Sequence, residues 1–166
     1  HTGEIDHNYE NMVYVNQNSL NLFFGDTEQL TASPTESTFE WTSEDPSVAT
    51  VNNKGLVTAT GVGNTQIIIT QGEWTQTVDV TVSLPTSKEV LARAGNKRVL
   101  IEVTIDNEKV QKMNVVCNNN DSSIEEDVNY KSGVFKFYYD DLEENKKYDF
   151  TVTCIDRYGN QSKPIN

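Results

Sequence analysis

The stretch QTVDVTV at residues 76–82 alternates polar and apolar side chains, with three valines on one parity. Successive side chains of a β-strand point to opposite faces, so this pattern predicts a strand with one buried face and one solvated face. Residues 39–43 repeat the pattern, with Phe39 and Trp41 on the buried parity. The first half of the chain is therefore predicted to be a β-structure, and Trp41 is assigned to its core.

Short apolar runs and turn segments continue this pattern through the first half. Gly-containing turns at 52–55 and 61–63 interrupt the runs. Short strands at about 8–12-residue spacing are typical of a β-sandwich. No stretch sustains helical periodicity, so we expect few and short helices. The predicted strands are Ser19–Phe24, Gln29–Ala32, Phe39–Ser43, Val48–Val51, Leu56–Ala59, Asn64–Thr70 and Gln76–Val82.

The second half has four alternating apolar rows, which predict a second core. We assign Phe135, Phe137 and Tyr148 to this core. The fold class is therefore predicted to be all-β, with two β-sandwiches in tandem. The rows are Val99/Ile101/Val103/Ile105, Met113/Val115/Cys117, Phe135/Phe137/Tyr139 and Tyr148/Phe150/Val152/Cys154.

The distribution of charge also divides the chain. Its 166 residues carry 25 acidic and 13 basic side chains, for a net charge of -12. Residues 1–83 hold 11 acids and one base, Lys54, whereas residues 84–166 hold 14 acids and 12 bases. This asymmetry predicts two domains, and the acidic total excludes nucleic acid as a partner. No apolar run approaches the ~18 residues of a membrane-spanning helix, so we expect no membrane insertion by this chain.

Proline and small polar residues around Pro85 suggest the boundary between the domains. We predict a polar N-terminal arm with a first edge strand over 1–17, a first domain over 18–83 and a linker over 84–89. The second domain covers 90–166 and is expected to be cut off within its last strand. A functional interpretation of the arm is a tether left after removal of a lipidation signal.

Few residues suggest catalysis. The acids Asp140, Asp141, Glu143 and Glu144 could serve as general acid and base or bind calcium, but a solvated turn explains them as well. No histidine follows His7, so a Ser or Cys nucleophile has no base. We predict a protein that is not an enzyme, with no catalytic residue, no metal and no cofactor.

Cys117 and Cys154 lie at inward positions on strands predicted to be neighbours. Two interpretations remain open. They could form a disulfide across the strands, which needs a particular local geometry, or remain buried free thiols.

Four aromatic residues lie outside the core rows or in turns, and they are the candidate ligand-binding residues: Trp74, Tyr130, Tyr138 and Tyr158. Exposed rings stack on the apolar faces of sugars. Trp74 shares the parity of Val78, which favours burial under a loop instead. Each of the four rings could instead be partly packed against its own domain, which is the more common situation for a single ring.

Three motifs follow one another in the first domain: GDTEQLTA at 25–32, WTSEDPSVATV at 41–51 and GLVTA at 55–59. In this order they resemble a bacterial immunoglobulin-like domain of group 2, over residues 18–83. The resemblance implies a sandwich fold in which Trp41 fills the core and Gly55 allows a tight turn.

Other motifs lie in the second domain: GNKR at 95–98, LEE at 142–144, YDF at 148–150 and DRYGNQS at 156–162. Residues 90–166 resemble a fibronectin type III-like domain of the kind found in surface lipoproteins of Bacteroidetes. Leu142, six positions before Tyr148, resembles a tyrosine corner, in which the tyrosine hydroxyl bonds to nearby backbone.

These resemblances imply an exported protein on the outer membrane of a bacterium, facing the exterior and anchored by lipid. We predict a non-catalytic adhesion or spacer segment of a larger surface protein. The alternative is a carbohydrate-binding component of a polysaccharide-capture system. The expected partner is a glycan or a host or cell-surface protein.

Overall fold

The computed structural model describes residues 13–34 and 38–166 of the chain. These residues form β-strands, turns and loops, and none of them is α-helical. The chain divides into two compact units between Ser83 and Leu84, here called the N-unit and the C-unit. The predicted all-β class with two tandem sandwiches is confirmed. None of the described segments is a helix of the length and apolarity that crossing a membrane requires.

The described part of the N-unit has two main sheets that enclose one core. One sheet has the strand order β2-β9-β8-β5 and the other β3-β7-β6, while β1 pairs with β4. Strand β2 runs parallel to β9, and the other pairs are antiparallel. The strands are β1 (Tyr14–Val15), β2 (Ser19–Phe23), β3 (Thr27–Gln29), β4 (Ala32–Ser33), β5 (Glu40–Ser43), β6 (Ala49–Val51), β7 (Leu56–Ala59), β8 (Gly63–Gln71) and β9 (Trp74–Ser83).

Aliphatic side chains from both sheets fill the N-unit core. Val78, Val80 and Val82 are buried and their neighbours on β9 are exposed, as the alternation at 76–82 predicts. Ile67 and Ile69 on β8 are completely buried. Burial of each such side chain contributes about 1.5–3 kcal/mol relative to leaving it exposed.

The predicted strand Gln29–Ala32 is wrong, because the chain changes sheets there. β3 ends at Gln29 and pairs with β7, whereas β4 begins at Ala32 and pairs with β1. Between them Leu30 is buried, and its N–H donates to the Gly55 carbonyl at 2.9 Å. Apolar spacing cannot distinguish one strand from two when a buried residue lies at the crossover.

Gly55 is needed where the turn before β7 approaches the core. Its φ is +84°, and a Cβ there would lie 2.6 Å from the Leu30 carbonyl oxygen and 2.9 Å from the Trp41 ring. Only glycine combines this dihedral angle with this close approach. The tight turn expected at Gly55 is confirmed.

The C-unit has two three-stranded antiparallel sheets, in the orders β10-β11-β14 and β13-β12-β15. The strands are β10 (Glu89–Ala94), β11 (Val99–Ile105), β12 (Val110–Cys117), β13 (Ser122–Asp127), β14 (Gly133–Tyr139) and β15 (Phe150–Asp156). The sequence predictions did not include β10 or β13. Both lie at sheet edges and consist mostly of exposed residues, so neither has the apolar alternation that marks a half-buried strand.

The C-unit core contains aromatic and sulfur-containing side chains as well as aliphatic ones. Phe137, Tyr139 and Met113 are buried between the sheets. The Tyr139 hydroxyl donates to the Val115 carbonyl at 2.7 Å, so a hydrogen bond joins β14 of one sheet to β12 of the other. The four inward rows predicted for this half all contribute to the core.

The structure describes parts of the three segments predicted to border the domains: the N-terminal arm, the linker and the end of the second domain. Residues 1–12 of the arm lie outside the described residues, and Val15 at its end pairs with Ala32. In the predicted linker, Ser87 is buried and the Lys88 N–H donates to the Thr104 carbonyl at 2.8 Å. At the end of the chain, residues 161–165 run back beside β15 and form two isolated bridges with it. The domain limits proposed from the sequence stay predictions.

Candidate functional site

Trp74 is the first residue of β9, opposite Gln71 at the hairpin with β8. Its side chain is 37% exposed, although its parity on β9 is that of the buried Val78. The structure therefore does not place Trp74 under a loop, because the first four residues of β9 are exposed and burial on this strand begins at Val78. Trp74 belongs to the N-unit, while the three candidate tyrosines belong to the C-unit.

Tyr138 lies on the outer face of β14, opposite Leu100 of β11. The Arg98 guanidinium carbon is 5.2 Å from the centre of its ring, within the range of a cation–π contact. Arg98 also bonds to Asp140, with Nε and Oδ1 2.7 Å apart, and this hydrogen bond raises the pKa of the guanidinium. Tyr138 thus contacts an arginine whose charge is already balanced.

Tyr130 and Tyr158 come together around a second arginine. The Arg157 guanidinium carbon is 5.8 Å from the centre of the Tyr130 ring and 6.0 Å from that of Tyr158. Tyr158 is 53% exposed, and Arg157 is exposed. The sequence prediction named both tyrosines but missed Arg157, whose only signal was its place beside Tyr158 in the motif DRYGNQS at 156–162.

The turn at residues 156–160 is held by a buried carboxylate. Asp156 is only 3% exposed, and its Oδ1 accepts the N–H groups of Tyr158 at 3.0 Å and Asn160 at 2.8 Å. Its Oδ2 accepts from the Asn160 side chain at 3.1 Å. Gly159 supplies a positive φ of +82°, which glycine adopts without steric cost. Four of the five residues are thus fixed by one side chain and one backbone angle.

The acidic residues considered for catalysis or calcium are exposed and partly paired with bases. Asp140 pairs with Arg98, and the Glu143 carboxylate lies 3.6 Å from the Lys146 ammonium. Among the described residues, no group of three or more His, Cys, Asp or Glu side chains could hold a metal ion. A solvated turn accounts for these carboxylates.

Tyr148 makes the contact expected of a tyrosine corner. It is half-buried against the C-unit core, and its hydroxyl accepts the Glu143 N–H at 2.9 Å. The same loop and the hairpin turn at 95–98 line an open cleft of about 290 Å³. Two motifs singled out in the sequence, at 95–98 and 142–144, therefore meet at one end of the C-unit.

The other residues assigned to the cores differ in burial. Phe137 is buried, whereas Trp41 and Phe135 are half-buried and pack against the two cores. Trp41 also lines an open groove of about 470 Å³ with Phe39 and Lys54. Sequence reasoning did not identify this groove, because it assigned Trp41 to the interior.

The two cysteines are buried free thiols. β12 and β15 are neighbours as predicted, but Cys154 lies opposite Met113 and Cys117 lies opposite Phe150. This offset separates the cysteines by about 13 Å along the strands, whereas a disulfide needs Cα atoms within about 7 Å. Burial raises the pKa of the Cys154 thiol to about 11, so it stays protonated near neutral pH.

Comparisons with solved structures find other tandem β-domains at low identity. Domains 4 and 5 of the S-layer protein SbsC align with a TM-score of 0.44 and 15% identity, covering 93% of this chain and 96% of that one. Domains 5–6 of SbsC align with a TM-score of 0.37 and 14% identity, covering 93% and 94%. Domains A168–A170 of titin align with a TM-score of 0.34 and 12% identity, covering 92% and 63%.

A comparison with curated proteins finds no match to this sequence. A comparison with family models finds one for residues 11–82, described as the bacterial Ig-like domain (group 2). This match confirms the resemblance stated for residues 18–83. The N-unit segment 11–82 therefore matches the bacterial Ig-like group 2 family.

Proposed function

We propose that this chain is a non-catalytic module of a bacterial cell-surface protein and acts there as an adhesion or spacer segment. The observation that carries the proposal is the match of residues 11–82 to the bacterial Ig-like domain of group 2. Two compact β-units that follow one another along the chain support a modular segment of a larger surface protein. The exposed and paired carboxylates near residues 140–144 support a role without catalysis.

The finer part of the proposal concerns the C-unit and the anchor. We assign the C-unit to fibronectin type III-like domains, supported by its strand orders β10-β11-β14 and β13-β12-β15 and by the Tyr148 hydrogen bond to Glu143. Its resemblance to surface lipoproteins of Bacteroidetes supports a lipid-anchored protein on the outer membrane, facing the exterior.

Antibody labelling of intact cells that produce the full-length protein tests the location. An antibody raised against the purified chain is expected to label intact and permeabilised cells equally. An antibody against a cytoplasmic protein is the control, and it should label only permeabilised cells. Labelling of the chain only after permeabilisation would contradict a surface location.

A second candidate function is carbohydrate binding within a polysaccharide-capture system. The observation that favours it is the grouping of Tyr130 and Tyr158 around Arg157. A glycan array probed with the full chain and with Tyr138→Ala and Tyr158→Ala variants separates the two candidates. Binding that the Tyr158→Ala variant loses supports capture, and the absence of binding on the array supports a spacer.

A further inference from the structure

Among the described residues, Arg157 has no carboxylate partner of the kind that the other two arginines have. The Nε of Arg93 is 2.8 Å from Glu102, and that of Arg98 is 2.7 Å from Asp140. No carboxylate of the described residues forms such a pair with Arg157, although the chain has 25 acidic side chains. The adjacent Asp156 carboxylate is buried and accepts hydrogen bonds from the turn instead. An exposed guanidinium that no carboxylate of residues 13–34 or 38–166 pairs with is therefore present on the C-unit.

Two aromatic rings flank this guanidinium. Its carbon lies 5.8 Å and 6.0 Å from the centres of the Tyr130 and Tyr158 rings. A planar guanidinium group can stack its face on an aromatic ring. Its N–H groups lie in its own plane and remain available to bind a carboxylate. The cluster thus combines apolar faces with a fork of donors suited to a carboxylate.

Backbone geometry fixes both sides of the cluster before any ligand arrives. Arg157 and Tyr158 lie in the turn that Asp156 holds. Tyr130 has a φ of +60° and follows Asn129 at +54°, an uncommon pair of left-handed residues. The Tyr130 N–H donates to the Val110 carbonyl at 2.9 Å, and Val110 lies opposite Asp156 across β12 and β15. The two sides of the cluster are therefore connected through one strand pair.

We propose that Tyr130, Arg157 and Tyr158 form a binding site for a carboxylated sugar carried on an otherwise neutral glycan. The C–H face of the sugar stacks on tyrosine, and its carboxylate accepts two hydrogen bonds from Arg157. A polyanionic chain is disfavoured, because one guanidinium pairs with one carboxylate, and its further charges would meet a unit that holds 14 acids against 12 bases. This inference rests on the proposed surface role and names the ligand class for an adhesive function.

NMR titration of the isotope-labelled full chain tests the site with three probes of similar length. They are xylotriose bearing one glucuronate, the neutral xylotetraose and the polyanionic tetragalacturonate. We expect the first to bind most tightly and to shift the amide signals of residues 129–131 and 157–158. No binding of the first probe overturns the proposal. Equal binding of xylotetraose, or tighter binding of tetragalacturonate, also overturns it.

Two matched pairs of variants test the residues. Arg157→Gln should weaken binding of the glucuronate probe at least about tenfold, the effect expected of a charge-assisted hydrogen bond. Arg98→Gln, which alters an arginine beside Tyr138, should leave affinity within about twofold. Tyr158→Leu and Tyr138→Leu form the second pair, with loss expected only for the first. Unchanged binding by Arg157→Gln overturns the assignment, and unchanged tryptophan fluorescence and thiol protection verify that each variant is folded.

The NMR titration and the surface labelling can fail independently of each other. Surface labelling of intact cells together with failure of the titration rejects this site and leaves the surface role standing. Absence of surface labelling rejects the surface role whatever the titration shows.

Discussion

The N-unit and the C-unit differ more in their side chains than in their architecture. The core of the N-unit is mainly aliphatic, whereas Phe137, Tyr139 and two thiols are buried in the C-unit. Residues 1–83 include one basic residue, so their surface has little scope for ion pairs, while residues 84–166 include 12 bases. In the C-unit, pairs such as Lys112 with Glu125 join adjacent strands. The unit that matches a known family therefore has the chemically simpler surface, and the candidate ligand site lies in the other unit.

The chain carries a separate reporter for each unit. Both tryptophans, Trp41 and Trp74, belong to the N-unit, and both cysteines, Cys117 and Cys154, belong to the C-unit. Tryptophan fluorescence thus follows unfolding of the N-unit, and labelling of the buried thiols follows that of the C-unit. A change that acts on one unit alone should therefore alter only one of these two signals.

Gly55→Ala should have the largest effect and should act on the N-unit only. The added Cβ would lie 2.6 Å from the Leu30 carbonyl oxygen at a φ of +84°. We expect a loss of about 3 kcal/mol, combining left-handed strain with overpacking. Urea unfolding followed by tryptophan fluorescence measures it. Gly72→Ala is the control, because its φ is +58° but no atom lies within 4 Å of the added Cβ; equal losses in both variants would contradict the steric explanation.

Alkaline pH should destabilise the C-unit before the N-unit. Burial raises the pKa of Cys154 from 9.0 to about 11, so the folded state binds its proton more tightly than the unfolded state. The resulting stability is complete below about pH 9 and is lost as the pH rises toward 11, an effect of about 2–3 kcal/mol. The methyl NMR signal of the buried Met113 measures the folded fraction of the C-unit.

The matched variant for this pH effect is Cys154→Ala. In this variant the C-unit should no longer lose the stability that ionisation of the Cys154 thiol removes between pH 9 and 11. Tyr139, whose pKa burial raises to about 12, would then account for the loss that remains at higher pH. An unchanged pH profile in Cys154→Ala would contradict the assignment.

Tyr139→Phe should destabilise the C-unit by about 1–2 kcal/mol, since it leaves the buried Val115 carbonyl without this donor. The rate of thiol labelling at equilibrium measures the change. Tyr138→Phe, whose ring is 49% exposed on the outer face, should have no measurable effect. A similar loss in both variants would show that the hydrogen bond between the sheets is not the cause.

Raising the salt concentration should have the smallest effect, and it should stabilise the N-unit more than the C-unit. Raising NaCl from about 20 mM to about 300 mM shortens the screening length and weakens repulsion among its acids. We expect a gain of about 0.5 kcal/mol for the N-unit and less for the C-unit, where opposite charges already pair. Urea unfolding at both salt concentrations, followed by the two reporters, tests this difference.

Alternating sequence was sufficient to predict both cores and the strands that have a buried face. Val78 on β9 and Ile101 on β11 each lie in a row that has period two, and both are buried. It was not sufficient for β10 and β13, because almost all of their residues are exposed and these strands pair through the backbone without an apolar face. The break at Leu30 was also missed, since a change of sheet does not alter the side-chain pattern.

The candidate site was predictable only in its aromatic part. Tyr130 and Tyr158 are out of phase with the core rows, which made them visible in the sequence. Arg157 was not, because its significance depends on which carboxylates pair with the other arginines. Nor could the sequence show that Tyr138 lies beside a different arginine from Tyr158. Such pairings depend on strand register, which periodicity alone does not define.

The turn held by Asp156 has a consequence for how this protein could be altered. Its shape depends on the Asp156 carboxylate, the backbone angle of Gly159 and the amide of Asn160. The side chains of residues 157 and 158 take no part in those hydrogen bonds. Substitutions at these two adjacent positions are therefore expected to leave the hydrogen bonds of the turn in place, so new ligand preferences can be selected there on a turn of the same shape.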